Sequence, residues 1–487
     1  MKRELVLVGN GMAGARFLEE LLARGGADRY RITVFGEEPQ GNYNRVLLSG
    51  VLAGHHAAED IMLNAPSWYR ANGIELRAGV RAVAVDCAAQ RVRGADGSSA
   101  RYDELVLATG STPFVPPIEG VRAPNGRLLE GAFVFRTLAD CAAILEAAKS
   151  ARRVAVIGGG LLGLEAARGL LRLCPEVHVV QLLPQLMEQQ LDRAGARVLE
   201  ATLTRLGLRV HLGVSTSAVL GQVRVEGLRF ADGKTLACDL LVLASGVRPN
   251  VQLARDAGLP VERGIVAGDD LAVPGHAGVY ALGECAQHRG VTYGLVAPVW
   301  EQAAVLADRL SGARPEAVYL GSRVATRLKV VDVELSVMGV REASGSGDEE
   351  VLFTDTARGV YKKLVVRGGR LVGALLLGDT SAAAGLLQAF DRELPLPEER
   401  AALLFPELAG QGAPVGVLDL PDEARICDCN AVSKGAIAAA ARAGCESLEA
   451  VCAATRAGTG CGTCRPRVEE LLRGRAQAGG GARRDAA

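Results

Sequence analysis

The stretch Glu4-Leu-Val-Leu-Val-Gly9-Asn10-Gly11-Met12-Ala13-Gly14 is an apolar run that breaks into closely spaced glycines and leads into a helix-like segment from Ala15 to Arg24. Gly9, Gly11 and Gly14 form G-x-G-x-x-G straight after a strand. The first glycine allows a tight turn, the second lets the backbone approach a pyrophosphate, and the third lets helix and strand pack closely. Phosphates would sit at the helix N-terminus, where free N–H groups and the dipole favour anions, with Met12 and Ala13 in the same turn. A second strand is expected from Tyr30 to Phe35, ending in Gly36-Glu37-Glu38. An acid about 20 residues past the glycines holds a ribose hydroxyl in such sites; Glu37 fits, with Glu38 as the alternative.

The pattern repeats. Val154 to Ile157 reads as a strand, Gly158-Gly159-Gly160-Leu161-Leu162-Gly163 gives a second G-x-G-x-x-G, and a helix is expected to about Leu173. The next strand, Val177 to Leu182, carries Gln181 where the ribose acid belongs. Asp103 to Pro113 contains a buried strand that breaks at Thr109-Gly110, and Asp239 to Asn250 echoes it, breaking at Ser245-Gly246. Two fingerprints, each followed by the same late strand and turn, imply two dinucleotide sites.

At 487 residues the chain has room for about three domains. Its 49% hydrophobic and 23% charged content is that of a globular protein, and a net charge of zero gives no reason to expect nucleic acid as a partner. With the first strand beginning at Glu4 no signal peptide is expected, and no run of about 18 apolar residues suggests a membrane span. A cytoplasmic location is expected. Eleven cysteines are too few and too scattered for a disulfide scaffold.

Between these landmarks, Arg45 follows the second strand in Asn42-Tyr43-Asn44-Arg45, from where it could reach a pyrophosphate. Val279-Tyr-Ala-Leu-Gly283-Glu284 is a strand ending in Gly-acid, which can put a carboxylate on a ribityl hydroxyl. Ala297 to Leu310 reads as a helix with Pro298 in its first turn. Its N-terminus could face a flavin ring edge, although Trp300 suits a core equally. Residues 318–380 read as strands: one run from Val324 to Met338, then a hairpin turning at Arg367-Gly368-Gly369-Arg370. Leu408 to Glu423 has linker composition, and Arg475 to Ala487 reads as a disordered tail.

Four cysteines cluster near the C-terminus. Cys427 and Cys429 form C-x-C, and Cys461 and Cys464 form C-x-x-C; Ser433–Arg442 and Ser447–Ala454 between them read as short helices. Four thiolates hold an iron–sulfur cluster or a structural zinc, and the spacing does not choose between them. Two dinucleotide sites upstream favour the redox cluster. Gly458, Gly460 and Gly462 leave N–H groups free for cluster sulfurs. Cys445 and Cys452 are expected on helix faces as small buried hydrophobes.

These motifs carry a resemblance. Residues 1 to about 320 resemble the FAD/NAD(P)-dependent pyridine nucleotide reductases. Val34 to Pro39, Tyr43 to Ser49, Tyr280 to Ala286 and Tyr293 to Pro298 resemble the N-terminal half of the NADH-dependent nitrite reductase large subunit. Residues 427 to about 472 resemble the bacterioferritin-associated ferredoxin-like [2Fe-2S] domain. The combination resembles the electron-transfer subunit of bacterial assimilatory nitrate reductase. The resemblance implies FAD on Gly9, Gly11, Gly14, Glu37, Arg45, Thr109, Gly110 and Glu284. It implies the nicotinamide cofactor on Gly158, Gly160, Gly163, Gln181 and Gly246, Glu165 near the reacting rings, and [2Fe-2S] on Cys427, Cys429, Cys461 and Cys464. A flavin disulfide reductase would carry a thiol pair near residues 42–49, where this sequence has none. Gln181 departs from the acid that favours NAD, but no Lys or Arg lies between Gln181 and Gln190 to meet a 2′-phosphate, so NADH is expected over NADPH. No counterpart of the siroheme and second cluster module of nitrite reductase is expected in these residues, so nitrite reduction by this chain alone is not expected.

The expected fold is α/β: two Rossmann-like dinucleotide-binding domains, a β-rich α+β domain and a small helical [2Fe-2S] domain. The FAD domain would comprise 1–115 and 247–317, interrupted by the NAD(P) domain at 116–246. A β-rich interface domain (318–407), a linker (408–425), the [2Fe-2S] domain (426–474) and the tail (475–487) would follow. Electrons would pass from NADH through FAD and the cluster to a partner, foremost a molybdenum-containing nitrate reductase catalytic subunit. The alternatives are another redox acceptor, such as a ferredoxin, a rubredoxin or a separate nitrite reductase, and a non-enzymatic NADH-sensing scaffold.

Overall fold

The computed structural model describes residues 2–322, 325–330, 333–405, 417–427, 430, 432–460, 462 and 464–481. The described residues form two compact units, the first drawn from Met1–Leu48, His56–Pro113 and Val247–Ser322, the second from Ser49–His55, Phe114–Gly246 and the chain from Arg323 onward.

In the first unit a fully parallel sheet has the order Val279–Ala281, Glu104–Leu107, Arg3–Val8, Tyr30–Gly36, Ile74–Ala78. The run from Leu5 to Val8 is apolar at every position because this strand is covered on both faces. Leu5 and Leu7 pack with Phe17, Leu18 and Leu21 of the helix Met12–Ala23 and with Trp300 and Ala303 of the helix Val296–Ser311. Val6 and Val8 join Val85, Val92 and Ala281 on the other side. Trp300 is therefore core, with the Arg16 guanidinium 5.6 Å above its ring.

The second unit repeats this plan. Its parallel sheet has the order Ala132–Val134, Leu240–Leu243, Arg153–Ile157, Glu176–Gln181, Arg209–Leu212. The outer place held by Val279–Ala281 in the first sheet is taken here by a strand that precedes the glycine fingerprint. Each unit also carries a three-stranded antiparallel sheet, Ala82–Asp86 with Arg91–Gly94 and Ser99–Arg101 in one, Thr216–Leu220 with Gly227–Phe230 and Thr235–Ala237 in the other.

The second unit continues into a five-stranded antiparallel sheet, ordered Ala325–Val330, Val333–Gly339, Arg370–Leu377, Val360–Arg367, Asp348–Asp355. The single run expected over 324–338 is thus two paired strands. Asp348–Asp355 falls in the range read as strands but was not singled out, because it lies at a sheet edge where the charges Asp348, Glu349 and Glu350 hide the apolar alternation; the helix Ala383–Asp391 was not expected.

In the cysteine module the helices are Lys434–Arg442 and Leu448–Thr455, with Ser433 and Ser447 as N-caps accepting from Ala436 N and Ala450 N. Cys445 lies in the connection between them rather than on a helix face. The segment of linker composition is described from Val417 on, and Val417 and Leu420 are buried with Ile426, Cys427, Val451, Cys464 and Val468, so its end belongs to this small core. The final helix, Arg465–Gly481, runs through part of the expected tail. Residues 408–416 of the expected linker and 482–487 of the tail lie outside the described residues.

Candidate functional site: two glycine cradles and a cysteine module

The two fingerprints close in the same way. Gly9 N donates to Phe35 O and Gly158 N to Val180 O, both at 2.9 Å, which ties each glycine turn to the second strand of its sheet. Gly9 and Gly158 have φ of +110° and +125°, and a Cβ there would meet Ala108 O at 2.1 Å and Ala244 O at 2.3 Å. Only glycine fits a turn that is both left-handed and pressed against the late strand. The third glycines do the packing: a Cβ on Gly14 would meet Gly9 O at 2.2 Å, and on Gly163 it would meet Gly158 O at 2.0 Å. At Gly11 and Gly160 a Cβ would meet nothing within 4 Å among the described residues. Gly11 and Gly160 are also the N-caps of the helices Met12–Ala23 and Leu161–Leu171, and neither helix has a side-chain cap. Each cradle therefore offers open space beside helix N–H groups, the arrangement that accepts a pyrophosphate.

In the first unit the other expected residues gather round the cradle. Glu37 is exposed at the end of the strand. Glu38 accepts from Tyr43 OH at 2.7 Å and from Arg45 Nη2 at 2.6 Å. Arg45 lies over the Tyr43 ring, 5.0 Å from its centroid. Burial works against its charge, but Tyr43, Glu38 and Glu284 outweigh it and hold the guanidinium above its ordinary pKa. Glu284 follows Gly283 in a short 3-10 turn and accepts from Ser111 Oγ at 2.6 Å. Thr109 Oγ1 donates to Asn250 O at 2.6 Å, and Asn250 N donates to Gly110 O at 2.9 Å. Thus Glu38, Arg45 and Glu284 act on one another electrostatically, and Ser111 is hydrogen-bonded to Glu284. Ser111 was missed; a serine two residues past Thr109 carries no motif, and it is identified only by its bond to Glu284.

In the second unit Gln181 ends its strand at the ribose-acid position, and its side chain is already engaged. Oε1 accepts from Gly159 N at 2.9 Å, while Nε2 donates to Glu188 Oε2 at 3.1 Å. Glu165 is half-buried in the first turns of the helix that leaves the cradle. Gly246 has φ of +96° and open space around a built Cβ, and its carbonyl accepts from Phe114 N.

In the cysteine module Cys427 and Cys464 are buried in the same small core. Cys464 O accepts from Arg467 N and Val468 N, so this thiol sits at the start of the last helix, where the dipole favours a thiolate. Asn430 Nδ2 donates to Arg456 O at 2.7 Å and Thr459 Oγ1 at 3.2 Å, tying the C-x-C loop to the glycine-rich segment before the second pair. Cys429 and Cys461 lie outside the described residues. Buried thiols beside a helix N-terminus fit a thiolate-bound cluster.

Residues 3–305 match the pyridine nucleotide-disulphide oxidoreductase family. The chain belongs to that family. Residues 325–394 match the rubredoxin NAD+ reductase C-terminal domain and residues 425–473 the BFD-like [2Fe-2S] binding domain. These matches carry FAD, NAD(P)H and [2Fe-2S] as cofactors, and the open cradles and buried thiols fit them. The first 86 residues of this pyridine nucleotide-disulphide oxidoreductase hold no cysteine, so the thiol pair in the family's name has no counterpart there.

The chain is 44% identical to the nitrite reductase [NAD(P)H] of Bacillus subtilis, over 97% of this chain and 57% of that protein. It is 38% identical to the assimilatory nitrate reductase electron transfer subunit of the same organism, over 97% of this chain and 60% of that one. The chain thus spans little more than half the length of these relatives. Among solved structures, a ferredoxin reductase from Rhodopseudomonas palustris matches with a TM-score of 0.67 at 26% identity, covering 77% of this chain and 91% of its own. No helix among the described residues is long and apolar enough to cross a membrane.

Proposed function

We propose that this chain is a cytoplasmic electron-transfer component that draws electrons from NADH and delivers them to a partner redox protein, foremost a molybdenum-containing nitrate reductase. The observation that carries this reading is the duplicated cradle, two glycine turns of the same geometry in one chain, followed by buried cysteines in a module of the [2Fe-2S] type. Bound FAD would supply two-electron acceptance from NADH and one-electron release, and a [2Fe-2S] cluster held by the cysteine module would supply one-electron transfer.

The protein's part is binding, orientation and exclusion of water. In the FAD site (1–115 and 247–317), Gly9, Gly11, Met12, Ala13 and Gly14 cradle the pyrophosphate and Arg45 adds a cation beside it. Glu37, with Glu38 as the alternative, takes the ribose; the bonds of Glu38 to Tyr43 and Arg45 tie it to the cation of the site. Ser111 orients Glu284 beside Gly283, and Thr109 and Gly110 keep the late turn close. In the nicotinamide site (116–246), Gly158, Gly160, Leu161, Leu162 and Gly163 repeat the cradle, Gln181 braces Gly159, Gly246 borders the opening, and Glu165 positions the ring. Cys427, Cys429, Cys461 and Cys464 hold the cluster. No side chain serves as nucleophile or general base.

The test is a visible spectrum of protein purified without oxygen, before and after NADH. Flavin bands plus a broad iron–sulfur shoulder, both bleached by NADH, are expected. Flavin with stoichiometric zinc would instead make the cysteine module structural and end the path at the flavin. The likeness to a ferredoxin reductase favours a second acceptor, a small ferredoxin-type protein. Stopped-flow reoxidation of the NADH-reduced chain by each candidate decides between them.

A further inference from the structure

The ribose end of the second cradle is built in an unusual way. Gln181 stands where an acid would accept the ribose 2′-hydroxyl, and its amide is spent inside the protein, on Gly159 N and on Glu188 Oε2. The segment bearing Glu188 is held in place. Met187 N donates to Gly159 O at 2.9 Å, Leu191 N to Met187 O at 2.8 Å, and Met187 itself is fully buried with φ of +49°. A carboxylate absent from position 181 is thereby restored from position 188, one hydrogen bond away.

Glu188 borders a cleft of about 390 Å³, lined among others by Gln185, Arg193, Arg341 and Glu342. Arg341 comes from the antiparallel sheet domain, 153 residues along the chain, and its Nη1 donates to the Glu188 carbonyl. That domain is anchored here by Asp192, which accepts from Tyr361 OH at 2.6 Å and Lys363 Nζ at 3.2 Å. Guanidinium groups suit a phosphate, which they bind with paired N–H donors, whereas a carboxylate at the same place repels it and accepts from a hydroxyl.

Building on the nicotinamide-site reading above, we propose that Glu188 is the specificity-determining residue of this site. It accepts the 2′-hydroxyl of NADH and withholds from NADPH a cleft whose lining includes Arg193 and Arg341 as well as Glu342, so that removing the Glu188 charge tips the cleft toward a 2′-phosphate.

The experiment is calorimetric binding of 5′-ADP and 2′,5′-ADP to the flavin-loaded full chain, alongside kcat/KM for NADH and NADPH. The wild type binds 5′-ADP the more tightly. Glu188→Gln keeps an acceptor for Gln181 and removes the charge; it shifts the ratio of the two affinities toward 2′,5′-ADP by about tenfold or more, with a parallel shift in kcat/KM toward NADPH. Adding Arg341→Met abolishes that shift. An unchanged ratio in Glu188→Gln overturns the proposal, and a shift that survives Arg341→Met overturns the role of the cleft. Failure of the wild type to bind either nucleotide or to oxidise NADH would instead overturn the underlying site reading.

Discussion

At the scale of single residues, the two cradles make separable predictions. Gly9→Ala puts a methyl group 2.1 Å from Ala108 O in a left-handed turn, so it should leave the purified protein short of flavin, measured as absorbance per chain. Gly158→Ala has the same defect against Ala244 O in the second cradle; it should retain flavin and lose NADH-driven flavin reduction, measured by stopped flow. A second residue-scale prediction concerns His178 and His211. Their rings share a 2.9 Å contact, and His178 Nε2 lies 2.9 Å from Glu176 Oε1. Burial holds His178 below its ordinary 6.5 despite Glu176, and burial does the same to His211. The unfolded chain therefore binds more protons than the folded one as pH falls below about 6.5, and stability is lost in that window. The melting temperature should drop between about pH 7 and pH 5.5, and His211→Gln should flatten the drop.

At the scale of elements, the sequence is most legible where local physics and packing agree. Ser433 and Ser447 announce their helices because a hydroxyl can satisfy an early N–H, and both do so. The helix Ala383–Asp391 starts after Ala382 without a side-chain cap, so the signal that marks a helix start is missing. Apolar runs such as Leu240–Leu243 are central parallel strands with legible bounds, whereas the bounds of Asp348–Asp355, inside a range read as strands, are blurred by the charges an edge strand carries. Asp192 is an element-scale joint: it caps the helix Arg193–Arg205 through Gly195 N and bonds Tyr361 and Lys363 of the antiparallel sheet. Removing it strands a buried hydroxyl and takes from Lys363 one of its two carboxylate partners, leaving the ion pair with Glu350. Asp192→Ala should cost about 2–4 kcal/mol in denaturant unfolding, and Asp192→Asn less because a cap oxygen remains.

At the scale of the whole molecule, flavin chemistry and cluster chemistry reside in different parts of the chain, so they should fail independently. Cys427→Ser should lower bound iron and the broad visible shoulder while NADH still bleaches the flavin bands; iron content and anaerobic titration check this. Loss of flavin reduction in the same variant would mean that the module is needed to form the flavin site.

The sequence by itself determined the two cradles, the late strands that follow them and the existence of a cysteine module. Each rests on residues adjacent in the chain, whose spacing is the geometry: a glycine turn can be read because its constraints act within about ten residues. Only the tertiary structure decided which acid joins Arg45, that Ser111 holds Glu284, that Val417 and Leu420 belong to the cysteine core, and that Arg341 stands behind Glu188. Those pairings link positions far apart in sequence or without a motif. They exist because sheet register and domain packing bring the side chains within hydrogen-bond reach, and no local spacing encodes that.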